Sequence, residues 1–216
     1  EAAVVSYSEG VFSDQPIPPP LGTARIYEVE EGPDGSHWFA GVRGLGRLRK
    51  GVWKFWADTE GIKGSKVYCI AVASDDRVFF SDQRSGLGLL EGDSVSFFDS
   101  RGGLIHDGVQ DLDFDEEGIL WIATRGGLGG YRDGLWLSFG TDTGLQALEL
   151  WPVTTLGNKV FVGSSGQGTF ILDPSAVPRS APRIVAMDTL VTDAEALVRW
   201  EAFSHRGAQS RQSIQT

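Results

Sequence analysis

Hydrophobic and polar residues form four short runs near the middle of the chain, and polar turns separate the runs. Val109 to Phe114 alternates apolar and polar residues with one residue out of step. Ile119 to Thr124 is a continuous apolar run, as a strand buried on both faces requires. The third and fourth runs are Leu128 to Arg132 and Leu135 to Phe139, joined by the favoured hairpin turn Asp133-Gly134. This pattern predicts four short antiparallel strands.

The same pattern recurs with a period of about forty residues. Gly-Leu-Gly occurs at 44–46, 86–88 and 127–129, at spacings of 42 and 41, and Gly166-Gln167-Gly168 follows 39 residues later. Large aromatic residues hold the same spacing on both sides of the central leucine. They are Trp38, Phe80 and Trp121 before it, and Trp56, Phe98 and Phe139 after it. In the fourth copy, Phe161 lies one residue closer. Four strands in about forty residues is the length of one β-propeller blade.

The repeats predict an all-β protein in three regions. Residues 1–174 are expected to hold the propeller repeats, as a partial first blade, three full blades and a partial last blade. Residues 175–182 are predicted to be a linker, and residues 183–216 the start of a further β-domain with two strands. A propeller has four to eight blades. We therefore expect part of a larger propeller, with a closed four-bladed ring as the alternative.

The large aromatic residues are predicted to form the core between blades. A single four-stranded sheet cannot bury both of its faces, whereas stacked blades can. The residues assigned to this core are Trp38, Trp53, Phe80, Trp121 and Trp136. The alternative for the tryptophans is a platform on which a sugar ring stacks.

Composition excludes several functions. Among 216 residues, 29 are acidic and 19 basic, which leaves a net charge of −10 and argues against nucleic acid as a partner. The single cysteine, Cys69, excludes an intrachain disulfide and a cysteine cage for a metal. No apolar run approaches the length of a membrane span. We expect no cofactor.

Metal sites find little support in the sequence. His37, His106 and His205 lie in separate segments without zinc-ligand spacing. The acidic clusters at 28–31 and 111–117 could hold Ca²⁺, which takes oxygen ligands, but a solvated acidic surface is the preferred interpretation.

Basic residues are predicted to converge at one end of the propeller. With the strands of a blade labelled A to D, the B–C turns and the D–A connections emerge on the same face. The B–C turns carry Arg43, Arg84 and Arg125, and the D–A connections carry Lys63, Lys66, His106 and Asp107. We expect Arg43, Arg84, Arg125 and His106 to orient an acidic or hydroxyl-rich ligand. The alternative is that these residues are merely solvated.

One family carries repeats of this kind. The segments Gly118 to Thr124, Gly126-Gly127-Leu128 and Tyr131 to Gly134, followed by Trp136 and Phe139, resemble the two-component regulator propeller repeat. The first repeat matches at Asp34-Gly35, Trp38 to Gly41 and Trp53, whereas the second has Asp76-Arg77 and Phe80 instead. The resemblance covers about residues 1–174.

The resemblance implies an extracytoplasmic sensor, on the periplasmic or extracellular side of a bacterial inner membrane. In that family, a three-tyrosine-motif, immunoglobulin-like domain follows the propeller, and residues 183–203 resemble its opening strands. A histidine kinase or a similar output would lie elsewhere, so this region is not expected to be an enzyme. The expected partners are a small molecule or glycan, the adjacent immunoglobulin-like domain and a second copy of the full-length protein.

The sequence is also compatible with two other functions. The first is a propeller lyase or glycosidase, as in the streptogramin lyases, for which His106 is the plausible catalytic histidine. The second is a structural propeller that binds another protein through an exposed apolar patch.

Overall fold

The computed structural model describes residues 3–19, 21, 25–57, 61–62, 66–176, 183–192, 195–203 and 209–215. The chain forms two compact units, Glu1–Leu172 and Asp173–Thr216, and every sheet is antiparallel. Its helical segments in these ranges include 3-10 turns at Ser100–Gly102, Thr141–Thr143 and Pro174–Ala176. No helix in the described ranges is long and apolar enough to cross a membrane.

The first unit contains a hairpin and four sheets that are arranged as the blades of a β-propeller. The hairpin is β1 (Ala3–Ser8) and β2 (Val11–Pro16). Blade 1 is β3 (Ile26–Glu31), β4 (His37–Gly41), β5 (Gly44–Arg49) and β6 (Val52–Trp56). Blade 2 is β7 (Ile70–Val72), β8 (Val78–Asp82), β9 (Gly86–Glu91) and β10 (Ser94–Phe98). Blade 3 is β11 (Val109–Phe114), β12 (Leu120–Thr124), β13 (Gly127–Arg132) and β14 (Leu135–Phe139). Blade 4 is β15 (Leu150–Leu156), β16 (Lys159–Ser164) and β17 (Gly168–Leu172). The predicted all-β propeller fold is confirmed.

The A–B turns of blades 1 to 3 share one device. Asp34, Asp75 and Asp115 each accept a hydrogen bond on Oδ1 from the backbone N–H two residues later, at 2.9, 3.3 and 3.0 Å. Such side-chain turns favour aspartate at this position. In blade 3, the other oxygen of Asp115 accepts from Nε1 of the buried Trp121 at 2.8 Å. The turn aspartate therefore also satisfies the polar atom of a core tryptophan.

A single backbone contact explains why glycine and a large aromatic residue recur together. The first glycine of each Gly-Leu-Gly repeat has a positive φ of 109°, 87° or 127°. A side chain there would collide with the carbonyl oxygen of the aromatic residue at the end of the fourth strand. The contacting pairs are Gly44 with Trp56, Gly86 with Phe98, and Gly127 with Phe139. Only glycine lets the third strand start this close to the end of the fourth.

Apolar clusters between neighbouring blades form the core of the first unit. Trp38 packs with residues of blade 2, including Phe80, and both are almost completely buried. Phe79 faces the other way, into a cluster shared with Leu120 and Ile122 of blade 3. Phe79 therefore occupies the position in blade 2 that Trp38 occupies in blade 1. The sequence alignment of Phe80 with Trp38 is one residue out of register.

The cause of this register difference is one extra residue in blade 2. The B–C turn of blade 1 lies between the paired residues Gly41 and Gly44, and that of blade 2 between Asp82 and Gly86. The B–C turn of blade 2 is therefore longer by one residue. As a result, the A–B turn of blade 2 lies one residue farther from the Gly-Leu-Gly repeat than that of blade 1.

The two remaining assigned tryptophans are half-buried. Trp53 stacks on Phe55 with ring centroids 5.5 Å apart, in the cluster between blade 1 and the hairpin. Trp136 lies 4.6 Å from Tyr131, between blades 2 and 3, and its indole fits against Gly103. Trp121 is fully buried.

The outer faces of the two end sheets are exposed. On the hairpin, Tyr7 and Phe12 contact each other and remain open to solvent, and on blade 4 Leu156 and Ile171 are exposed. The four sheets correspond to the four-bladed arrangement that was the alternative expectation, and these two faces remain open to solvent.

The second unit contains one three-stranded sheet of β18 (Arg183–Thr192), β19 (Glu195–Phe203) and β20 (Gln209–Gln215). The sequence predicted two of these strands and missed β20, which is polar apart from Ile214.

Candidate functional site

The B–C turns and the D–A connections meet at one end of the blades, which we call the B–C end. It comprises turns 42–43, 83–85, 125–126 and 165–167, the described residues 57, 61–62 and 66–69 of the first connection, and connections 99–108 and 140–149. Backbone hydrogen bonds join the two kinds of segment. Val67 N–H donates to Gly41, Arg125 N–H to Gly108, and Ser165 N–H to Glu149, each at 3.0 Å. The end is therefore a continuous surface built from the same two segments of successive blades.

His106 and Arg125 lie together on this surface. A side chain at Gly126 would sit 2.7 Å from Cβ of His106, and one at Gly108 would touch both the His106 ring and Cδ of Arg125. The imidazole Nδ1 accepts from Gly108 N–H at 2.8 Å. The neutral ring therefore carries its proton on Nε2, which makes this nitrogen a hydrogen-bond donor to a ligand.

The other basic residues of the prediction stand on separate blades. Arg43 is exposed on the turn of blade 1, and Arg84 is exposed on the longer turn of blade 2. Asp82, which is buried, holds that longer turn by accepting from the N–H groups of Arg84 and Ser85, both at 2.9 Å. Lys66 is half-buried next to the blade 1 turn, and Lys63 lies outside the described residues.

Four carboxylates connect the innermost strands of adjacent blades. Glu28 accepts from Ile70 N–H at 2.7 Å, and Glu30 accepts from Val72 N–H at 3.1 Å. Asp111 and Asp113 accept in the same way from Val153 N–H and Thr155 N–H, at 2.8 and 2.6 Å. The receiving strands, β7 and β15, are edge strands of their sheets. The carboxylates therefore satisfy N–H groups that no neighbouring strand could pair.

The burial of these carboxylates changes their acidity. Burial raises the pKa of Glu28 from its ordinary value of 4.5 to about 7. The hydrogen bond from Ile70 opposes this rise, and the negative charges of Asp111 and Asp113 add to it. Burial likewise raises the pKa of Glu30 from 4.5 to about 7 against the hydrogen bond from Val72. The pKa of Asp111 is also raised, mainly by burial.

The interpretation of 28–31 and 111–117 as a solvated acidic surface is wrong for these four residues, because they are half-buried and bonded to the next blade. In the described residues, no group of three or more His, Cys, Asp and Glu side chains could hold a metal ion. One feature of the sequence could have indicated this role. Acidic residues alternate in the same way on the first strands of blades 1 and 3, 83 positions apart.

The fold and this end define the chain as a β-propeller with a polar rim. No protein-family model matches the sequence, and no curated protein matches it. Solved structures are similar in fold. The extracellular domain of BT3049 from Bacteroides thetaiotaomicron, described as a hybrid two-component system, has a TM-score of 0.59 at 15% identity. The alignment covers 92% of this chain and 28% of that one.

Two further solved structures are similar to this chain in fold. The extracellular domain of BT4673 from the same organism, described as a one-component system, has a TM-score of 0.58 at 14% identity over 89% of this chain and 31% of that one. Virginiamycin B lyase from Staphylococcus aureus, solved with quinupristin, has a TM-score of 0.57 at 17% identity over 89% and 67%. This chain therefore spans less than a third of the two extracellular domains.

Proposed function

We propose that this chain is the ligand-binding propeller region of an extracytoplasmic sensor in a two-component signalling protein. It binds a small molecule or glycan at the B–C end. The observation that carries the proposal is the placement of His106 against Arg125, where two separate segments bring two donors to one exposed position. The likeness to extracellular domains of two-component proteins supports the sensor role, and the repeat resemblance supports the same class.

The chemistry of the rim favours binding over catalysis. Arg125 and Nε2 of His106 are both hydrogen-bond donors, which suits a carboxylate or a hydroxyl-rich ligand. A lyase or glycosidase would need His106 as a base, and the hydrogen bond from Gly108 N–H already occupies the lone pair on Nδ1. Ligand binding would be transmitted to the β-domain that follows. The family resemblance implies that this domain is immunoglobulin-like.

We expect Arg125→Gln to weaken binding of the ligand about tenfold, because a charged hydrogen bond is lost at an exposed position. Isothermal calorimetry with a panel of neutral and acidic oligosaccharides would measure this loss of affinity. The matched control is Arg132→Gln, since Arg132 is exposed in the same blade next to the opposite C–D turn. Equal losses in the two variants, or a panel in which nothing binds, would contradict the proposed site.

A further inference from the structure

The innermost strands of blades 1, 3 and 4 each carry an extra residue near the B–C end. The pairing of β3 with β4 skips Tyr27, and the pairing of β11 with β12 skips Gln110. The pairing of β15 with β16 shifts across Trp151 and Pro152. Such β-bulges bend a strand, redirect a side chain and are frequent beside functional sites.

Blade 2 has the same feature immediately before β7. The N–H groups of Tyr68 and Cys69 both donate to the hydroxyl of Ser81, at 2.9 and 3.0 Å, and Ser81 N–H donates back to the Cys69 carbonyl at 3.0 Å. Two consecutive residues thus face one residue on the partner strand. Tyr68 is therefore the extra residue of this blade.

These four residues lie at one level of neighbouring strands. Glu28, next to Tyr27, bonds to Ile70, two residues after Tyr68. The rings of Tyr27 and Tyr68 are 4.8 Å apart. Asp111, next to Gln110, likewise bonds to Val153, two residues after Trp151. We call this set the bulge ring: Tyr27, Tyr68, Gln110 and Trp151.

The bulge ring presents aromatic surface to solvent. Tyr68 is 36% exposed and Trp151 is 49% exposed, while Tyr27 and Gln110 are half-buried. None of the three aromatic residues belongs to an inter-blade hydrophobic cluster described above. Apart from the contact between Tyr27 and Tyr68, these rings lie outside the clusters that hold the blades together.

The charges beside the bulge ring decide which ligand it suits. Glu28 and Asp111 directly follow two of its members, and both carboxyl groups are half-buried. The arginines of the B–C end lie on turns between the second and third strands, about 5–10 Å farther from the innermost strand. Aromatic faces carry negative charge density and attract cations. The centre of the end is thus suited to positive charge and its periphery to negative charge.

We infer that the bulge ring binds an organic ammonium group. The inference extends the proposed function, because it names the chemistry that the inner part of the same end recognises. The aromatic faces of Tyr27, Tyr68 and Trp151 would contact the ammonium, and the partial negative charge of the Gln110 amide oxygen would face its positive charge. A ligand with an acidic or hydroxyl-rich part would extend outward to the arginines.

The test compares choline with its neutral isostere 3,3-dimethyl-1-butanol by calorimetry on the whole chain. We expect choline to bind at least tenfold more tightly than the isostere. Tyr68→Leu and Trp151→Leu should each weaken choline binding roughly 3- to 30-fold, because each removes one aromatic face. Tyr68→Phe should retain binding, and Tyr7→Leu, on the exposed hairpin face, serves as the control for removing an exposed tyrosine.

Equal affinity for choline and its isostere would overturn the inference, as would unchanged choline affinity in Tyr68→Leu and Trp151→Leu. The comparison of the two ligands uses the unaltered chain, so it does not depend on the folding of any variant. Arg125→Gln separates this inference from the proposed function. Choline binding should survive that change, whereas binding of acidic glycans should not.

Discussion

Replacing Gly127 by alanine is expected to destabilise the propeller by about 3 kcal/mol or more. Gly127 has a φ of 127°, a conformation that residues with a side chain rarely adopt. The added Cβ would also lie 2.6 Å from the carbonyl oxygen of Phe139 and 2.8 Å from Cδ1 of Ile105. The fourth strand of the blade would have to move, which disturbs the ladder between β13 and β14. Urea unfolding followed by tryptophan fluorescence would measure the loss.

Gly134→Ala is the matched control for this change. Gly134 also has a positive φ, at 83°, but an added Cβ there meets nothing within 4 Å. We expect a cost of about 1 kcal/mol, from backbone conformation alone. Equal costs at the two positions would show that the close approach to Phe139 does not constrain the repeat.

The stability of the propeller is expected to fall as the pH rises from about 5 to 8, by about 2–3 kcal/mol. Burial raises the folded-state pKa of Glu28 and Glu30 from 4.5 to about 7. The folded chain therefore binds these protons more tightly than the unfolded chain does. Their contribution is complete below pH 4.5 and is lost as the pH passes through about 7. Partial solvation of both side chains limits the size of this fall in stability.

Chemical denaturation at several pH values would measure this effect. The double variant Glu28→Gln, Glu30→Gln should lose most of the slope, since its amide oxygens can still accept from Ile70 and Val72 without a charge. Glu31→Gln, exposed on the same strand, should retain the slope. The hydrogen bonds from Ser36 lower the pKa of Asp34, so the titration of Asp34 affects stability only at lower pH. Stability that is level or rising from pH 5 to 8 would contradict the carboxylate account.

The strands were the most predictable part of this protein. In the third repeat, the predicted Leu128 to Arg132 and Leu135 to Phe139 differ from the observed Gly127–Arg132 and Leu135–Phe139 by one residue. Turn residues and apolar periodicity are local properties, so they are visible in a single repeat. The recurrence of the first glycine in each Gly-Leu-Gly repeat has a different cause. It depends on a contact between the start of the third strand and the end of the fourth strand of the blade, which the local sequence does not show.

The features that escaped prediction depend on the register between strands or blades. One extra residue in the blade 2 turn exchanges the roles of Phe79 and Phe80, and the amino-acid types at the two positions are identical. The carboxylates of Glu28 and Asp111 look like surface residues until the edge strand of the next blade is placed beside them. The bulge ring likewise depends on pairing shifts, which composition and spacing do not reveal.

The central claim is that ligand binding occurs at the B–C end. Hydrogen–deuterium exchange, measured with and without the tightest ligand from the oligosaccharide panel, tests it most directly. We predict that the ligand slows exchange in the B–C turns 83–85 and 125–126 and in the connection 99–108, with no change in the A–B turns 73–77 and 115–119. Slowed exchange confined to the A–B turns, or to the exposed face of the β1–β2 hairpin, would contradict it.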